Sequence, residues 1–287
     1  MQLLAFRSKP TKRDPVGDDE RPLPGPGTSL LNQLDDVLVR YSMAGGLAAG
    51  AGGLLAGGLV QWLFKSNFPL GLLMLLALGV FVAAVVVAGR ALVRMRVLTL
   101  GYRGERYVAE SLVPLIRAGG YVFHDVPGHE NPKEKPGRRW NIDHVVVGEK
   151  GVYAIESKYW RKWADRPNLS TIGFANNTLS FNGKPVGPDY QSAVEQAQRN
   201  ARSLGEILFK ATQRRWEVRP VLALPGWYIE SRPEPGETSL WVLNPKALPG
   251  WVSKQRARLS EADVAAVCQA LTMRQRFHVV TEFPRDA

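Results

Sequence analysis

The sequence has 287 residues, of which 45% are hydrophobic, and it carries a formal net charge of +11. Its one cysteine, Cys268, excludes an internal disulfide and a zinc site built from several cysteines. The positive charge lies after residue 88, where 30 Lys or Arg residues stand against 20 Asp or Glu residues. This excess favours a polyanionic partner, either nucleic acid or an anionic membrane surface.

The N-terminal third predicts a two-helix transmembrane hairpin. Residues 43–64 and 68–89 contain no charged side chain, and each segment has 22 residues, enough to cross about 30 Å of hydrocarbon as a helix. Arginines flank both outer sides of the hairpin, whereas its turn has only Lys65, so the positive-inside rule places both termini in the cytoplasm. The prediction divides this part into a disordered tail (1–27), an amphipathic helix (28–41), the hairpin (42–89) and a basic linker (90–100).

Four glycines form a stripe on one face of the first apolar segment: Gly46, Gly50, Gly53 and Gly57. Small residues at this spacing allow close contact between helices. Two interpretations stay open, because the stripe could join the two segments of the hairpin or join copies of the chain into an oligomer.

Residues 101–287 predict one α/β domain in which helices and strands alternate. Apolar spacing favours helices over residues 103–117, 190–209 and 260–273. Short apolar runs between turn residues predict strands over residues 121–126, 219–224 and 240–243. Residues 164–187 contain turn residues and short apolar pieces, and they are interpreted as an inserted hairpin or loop.

The segment from residue 141 to residue 158 is the most informative part of the domain. It predicts two apolar strands joined by a tight turn at Gly148–Gly151. If these two glycines pair, Asp143 faces Glu156 on one side of the sheet, and Lys158 lies two residues further on the same side. Two facing carboxylates repel each other, and a divalent cation held between them would offset this cost.

A third carboxylate has a comparable placement. Glu105 shares a helix face with Val108 and Leu112, which directs it toward the sheet rather than toward water. Aspartate, glutamate and lysine on one face are the working set of a metal-dependent phosphodiesterase. Asp143, Glu156 and Glu105 would bind Mg²⁺ or Mn²⁺, and Lys158 would orient a water molecule or stabilise the developing oxyanion.

Three pieces of the sequence, at residues 101–105, 142–148 and 151–160, resemble the NERD family, the nuclease-related domain of the PD-(D/E)xK nuclease superfamily. The resemblance covers roughly residues 101–273 and implies a restriction-endonuclease-like core, with a mixed sheet flanked by helices. It also implies that the active-site positions are Glu105, Asp143, Glu156 and Lys158. The family often has a glutamine at the start of the long helix, for which Gln196 is the best match and Gln191 is the alternative.

Basic and aromatic residues flank the predicted site, and they are interpreted as contacts to nucleic acid. Lysine and arginine can neutralise phosphates, and tryptophan can stack on unpaired bases. The residues in question are Arg138, Arg139, Trp160, Arg161, Lys162, Arg199 and Arg202. Trp160 could equally be a core residue.

The sequence as a whole predicts a membrane-anchored, Mg²⁺-dependent nuclease, in particular an endonuclease, at the cytoplasmic face of a bacterial inner membrane. DNA is favoured over RNA as its substrate, and defence against foreign DNA such as that of phages is the hypothesis for its role. An activating signal or partner is expected, since an unregulated nuclease would be toxic. Two alternatives stay open: a non-catalytic module that binds nucleic acid, and a membrane scaffold that binds anionic lipid.

Overall fold

The computed structural model describes residues 25–63, 70–128, 140–161, 171–232 and 240–282. The predicted N-terminal tail as far as residue 24 lies outside these ranges, and so do Arg138, Arg139 and Lys162. The chain divides into two compact units, one formed by Gly27–Arg106 and one that contains Tyr107–Ala287.

Two long helices account for the first unit: α1 (Thr28–Leu63) and α2 (Leu70–Arg117), whose last turns belong to the second unit. Both helices are long and apolar enough to cross a membrane. Large apolar side chains along α2, such as Val82, Val87 and Val93, are exposed. A continuous apolar surface of this kind is typical of a region that contacts lipid or another protein.

The contact between α1 and α2 is made by residues spaced seven apart. Val37 of α1 packs with Ala91 and Leu98 of α2. The same spacing continues through further buried alanines, namely Ala44, Ala51, Ala77 and Ala84. A repeat of seven residues keeps one seam of each helix facing its partner along its length.

The glycine stripe of α1 is not part of this contact. A Cβ atom placed on Gly46, Gly50, Gly53 or Gly57 would meet no atom of the described chain within 4 Å. The interpretation that these glycines join the two helices of the hairpin is therefore wrong, because the alanine seam does so.

Both predicted helix boundaries in this region differ from the structure. Residues 90–100, predicted as a basic linker, are helical, and α2 continues without a break through the predicted helix at 103–117. The predicted amphipathic helix at 28–41 is likewise the beginning of α1. The clustered arginines suggested a boundary, but arginine is a good helix former and nothing at these positions ends a helix.

The second unit is a mixed α/β structure, as predicted. Its described strands are β1 (Tyr121–Pro127), β2 (Asn141–Gly148), β3 (Gly151–Ser157), β4 (Thr171–Ala175), β5 (Thr178–Phe181), β6 (Lys184–Pro185), β7 (Val218–Ala223), β8 (Tyr228–Arg232) and β9 (Trp241–Leu243). Its helices, besides the end of α2, are α3 (Pro188–Thr212), α4 (Leu248–Ser253) and α5 (Glu261–Glu282). The predicted helices at 190–209 and 260–273 and the three predicted core strands are confirmed.

The strands form two sheets. The larger has the order β1-β2-β3-β7-β9, in which the first three strands are antiparallel and β7 and β9 continue the sheet in parallel. The smaller has the order β6-β5-β4-β8, so the predicted insertion forms most of a sheet of its own. Its partner strand β8 was not predicted.

Side chains alternate between two buried faces along β2 and β3. Tyr153 and Ile155 point to one face, where they pack with Leu112 at the end of α2. Ala154 points to the opposite face, where α3 and α5 cover the sheet and Leu204 contributes to the core. Because both faces are covered, these strands are mostly apolar, and β2 and β3 carry their carboxylates, Asp143 and Glu156, toward one end of the hairpin.

Gly128, at the end of β1, is expected not to tolerate a side chain. A Cβ atom there would lie 2.7 Å from the Trp140 ring, which packs against the core formed with α3 and α5. Gly128→Ala should therefore lower the free energy of unfolding by about 1–3 kcal/mol through overpacking, as measured by urea unfolding. Gly187→Ala is the control, because its Cβ would meet no described atom within 4 Å. Equal loss in both variants would contradict the prediction.

Candidate active site

The hairpin of β2 and β3 has the predicted register. Gly148 pairs with Gly151, and the ladder continues to the pair His144 and Ile155. Asp143 and Glu156 are the next residues along each strand. Glu156 also pairs with Leu222 of β7, so it lies near the C-terminal ends of two parallel strands, where polar groups can meet without interrupting the core.

Glu156 is a buried carboxylate held by two donors. Its side chain is 1% exposed. The Lys158 ammonium lies 2.7 Å from Oε1, and the Asn200 amide donates to Oε2 at 2.6 Å. Lys158 itself is 30% exposed, so its charged end lies between the buried carboxylate and solvent.

Asp143 lies at the same end of the hairpin. Its Oδ2 accepts a hydrogen bond of 2.7 Å from the backbone N–H of Ser157, the residue between Glu156 and Lys158. The structure therefore brings Asp143, Glu156 and Lys158 together at one end of the hairpin, as the sequence predicted.

The electrostatics of Glu156 are set by opposing effects. Burial raises the pKa of Glu156, while the charge of Lys158, the hydrogen bonds from Lys158 and Asn200 and the charge of Arg199 lower this pKa. Burial has the largest effect, so the pKa of Glu156 lies above the ordinary glutamate value. A carboxylate of this kind attracts a further positive charge.

His144 is a packed, hydrogen-bonded residue of β2. Its Nδ1 lies 2.8 Å from Nδ1 of His124, and the two rings meet edge to face. One ring must donate and the other accept, which requires different tautomers. Burial, with a smaller effect of His124, lowers the pKa of His144 to about 3, so this ring is neutral near pH 7.

The other described residues of the predicted site lie on α2, on α3 and just after β3. Glu105 is buried on α2 within the first unit, and its role as a metal ligand stays a prediction. Gln196 is half-buried on α3, one helical turn before Asn200. Arg161, Arg199 and Arg202 are exposed.

Trp160 lies in an aromatic cluster rather than on an open surface. Its ring meets Phe181 and Tyr190 edge to face, and its carbonyl accepts a hydrogen bond from the buried Trp227 indole. The side chain therefore packs against the smaller sheet and is only partly accessible to a base. Stacking of nucleic acid on Trp160 stays a prediction.

Asn200 is the site residue that the sequence analysis missed. It lies on the apolar face of α3 and is fully buried. Its spacing of four residues from Gln196 was visible in the sequence, but its partner Glu156 is 44 residues away, and only the tertiary structure brings them together.

Among the described residues, no three His, Cys, Asp or Glu side chains come together as a metal-binding group. The residues present are nevertheless suited to a hard cation. Asp143 and Glu156 supply carboxylate oxygens, and the buried amide oxygen of Asn200 has no hydrogen-bond partner in the described chain. Oxygen donors of these types are the ligands that Mg²⁺ and Mn²⁺ prefer.

A mixed sheet between helices, with an acidic pair and a lysine at the ends of its central strands, defines a nuclease-like α/β domain. Residues 100–225 match the family model of NERD, the nuclease-related domain. This segment is therefore similar to nuclease-related domains, and the match begins inside α2, after the apolar stretches of both long helices. Neither a curated protein nor a solved structure gives a significant match to the chain.

Proposed function

We propose that the protein is a membrane-anchored nuclease that hydrolyses phosphodiester bonds in DNA. The observation that carries this proposal is the buried Glu156, clamped between Lys158 and Asn200 and placed beside Asp143. Burying a carboxylate is costly, and a protein that only binds nucleic acid has no use for negative charge at that place. A hydrolase needs it to hold a cation against a phosphate.

Asp143 and Glu156 would hold Mg²⁺ or Mn²⁺, with Glu105 as a further ligand, directly or through water. When bound, the ion lowers the pKa of a coordinated water molecule and neutralises charge on the phosphate. The Lys158 ammonium lies 2.7 Å from Oε1 of Glu156 and would donate to the attacking water or to a phosphate oxygen. Gln196 would supply a further polar contact from α3.

Arginines near this end of the sheet would bind the substrate backbone. Arg199 lies over the Trp140 ring at 5.7 Å and also interacts favourably with Glu156, so it links the site to the exposed surface of α3. Arg161 and Arg202 are exposed and available to phosphates. Arg138, Arg139 and Lys162 complete the proposed set on the basis of sequence alone.

The anchor determines where the nuclease would act. With α1 and α2 as membrane spans and arginines outside the hairpin, both termini lie at the cytoplasmic face of a bacterial inner membrane. An endonuclease tethered there would meet DNA as it enters the cell, which supports a role against phage or other foreign DNA. The exposed glycine stripe of α1 offers a contact for a second copy, and an activating signal or partner would control the enzyme.

The proposal is tested with the full chain in detergent micelles. Supercoiled DNA, linear DNA and RNA are incubated with Mg²⁺, Mn²⁺ or a chelator. Cleavage should require the metal, and Asp143→Asn should reduce its rate by at least about 10²-fold, since a ligand of the ion is lost. Asp189→Asn, an exposed aspartate at the start of α3, should cut like the wild type.

Salt-sensitive DNA binding without cleavage by the wild type would contradict a nuclease and favour the binding module. Cleavage of RNA but not DNA would support the nuclease activity and identify RNA, rather than DNA, as the substrate. Metal-independent cleavage that survives in Asp143→Asn would place the activity elsewhere or in a contaminant.

A further inference from the structure

The long helix α3 carries an amide in the middle of its apolar face. Ala197, Ala201 and Leu204 lie on the buried side of α3, and Asn200 lies among them with no exposed surface. Placing an amide in such a position costs roughly 1–3 kcal/mol unless its polar atoms are hydrogen-bonded. An apolar residue would cover the sheet better at that place, so packing does not account for Asn200.

One half of the Asn200 amide is used to hold Glu156. Its Nδ2 donates to Oε2 of Glu156 at 2.6 Å, while Lys158 occupies Oε1 from the other side at 2.7 Å. Nδ2 of Asn200 and Nζ of Lys158 can only donate, so both oxygens of Glu156 act as acceptors and the carboxylate is held in one orientation. Neither oxygen can rotate away without losing a charge-assisted hydrogen bond.

The other half of the amide is unused within the protein. The Asn200 Oδ1 is buried and has no hydrogen-bond partner among the described residues. Buried amide oxygens without a partner are rare in folded proteins, and such an atom indicates a bound water molecule or ion. This acceptor belongs to the side chain that holds Glu156, and so lies beside the proposed metal ligand.

A second buried amide in the same domain provides a contrast. Gln275 of α5 is also almost fully buried, donates through Nε2 to the backbone carbonyl of His124 and leaves Oε1 without a partner in the described chain. Its partner is a neutral backbone group and not an ionisable side chain. Gln275 thus ties α5 to β1, whereas Asn200 acts on the carboxylate of the site.

We propose that Asn200 is a positioning residue of the nuclease site, which orients Glu156 for the divalent cation and accepts a hydrogen bond from a water molecule of the metal's hydration shell. The inference rests on the proposed function and adds to it a residue on α3. It assigns separate tasks to the two ends of one amide: the donor aligns the metal ligand, and the acceptor holds the hydrated ion.

Mn²⁺ binding to the full chain in detergent, without nucleic acid, is measured by the loss of the free-ion EPR signal, alongside DNA cleavage. Asn200→Leu keeps the branched skeleton of the side chain and removes both tasks, so the Mn²⁺ dissociation constant should rise about 10–100-fold and the cleavage rate should fall by a similar factor. Asn200→Asp preserves the shape and an oxygen but loses the donor, so Mn²⁺ should still bind while cleavage slows at least about 10-fold. Gln275→Leu is the matched control and should bind Mn²⁺ like the wild type.

Wild-type Mn²⁺ affinity in folded Asn200→Leu, or wild-type cleavage in Asn200→Asp, would overturn the inference. Should Asn200→Leu fail to fold by circular dichroism, Asn200→Asp alone decides, with unchanged cleavage as the overturning result. Loss of Mn²⁺ binding in Asn200→Leu but not in Gln275→Leu, with no nucleic acid cut by any of the proteins, would support the role of Asn200 in metal binding. The same result would contradict the proposed nuclease activity. A wild type that binds no Mn²⁺ would overturn both.

Discussion

Lys158→Met is expected to reduce metal-dependent cleavage by at least about 10²–10³-fold and to destabilise the α/β domain at the same time. Catalysis falls because the donor beside the buried carboxylate is lost. Stability falls because Glu156, 1% exposed, keeps a buried charge without its cationic partner, and breaking such a pair costs about 3–5 kcal/mol. Cleavage assays and urea unfolding of the full chain in detergent measure the two effects.

The stability effect should depend on pH in a defined direction. Burial already raises the pKa of Glu156, and loss of Lys158 removes the main opposing influence, so this pKa rises further. A carboxyl group with a raised pKa contributes stability below its unfolded value of about 4.3 and loses that contribution as pH rises through its folded value. The wild-type pKa is itself raised, so the difference in unfolding free energy between wild type and Lys158→Met should grow as the pH rises above the folded pKa of Glu156 in the wild type.

Two further variants separate catalysis from stability. Lys158→Met combined with Glu156→Gln removes the uncompensated charge, so stability should recover while cleavage stays absent. Lys158→Arg keeps the charge and should remain folded, but its wider guanidinium replaces the compact ammonium and should slow cleavage. Full activity in Lys158→Met would exclude this lysine from the mechanism.

Leu112→Ala is expected to have the largest purely structural effect, a loss of about 2–5 kcal/mol in the unfolding free energy of the domain. Leu112 has no exposed surface and packs between α2 and the sheet, in contact with the core of Tyr153 and Ile155. Truncation of Leu112 leaves a cavity between the end of α2 and the sheet, and the packed side chains around it can close this cavity only in part. The matched control is Ile116→Ala one turn later, where the side chain is 48% exposed.

Hydrogen–deuterium exchange of β2 and β3 measures this loss site by site. In Leu112→Ala the central amides of both strands should exchange faster, and in Ile116→Ala they should match the wild type, because surface truncations cost little. Unchanged protection in Leu112→Ala would mean that the end of α2 does not stabilise the sheet.

The predicted β2–β3 hairpin was readable from sequence because its determinants are local. Two glycines define the turn, and strict alternation then places Asp143 and Glu156 together. The contact between Asn200 and Glu156 could not be predicted from the sequence, since it depends on how α3 is rotated against the sheet. The smaller sheet depended on the parallel pairing of β4 with β8, which are more than 50 residues apart, and no local pattern encodes such a pairing.

The continuity of α2 has a practical consequence for obtaining the nuclease-like domain in soluble form. The helix has 48 residues, a length of roughly 72 Å, and it passes from apolar sequence to the core residue Leu112 without a loop at which the chain could be cut. Truncation anywhere in residues 90–106 leaves a helix end whose first four N–H groups have no partner. A soluble version should therefore place Ser or Asp ahead of Arg103 as a new N-cap, and should be more stable than one with a bare end by about 1 kcal/mol.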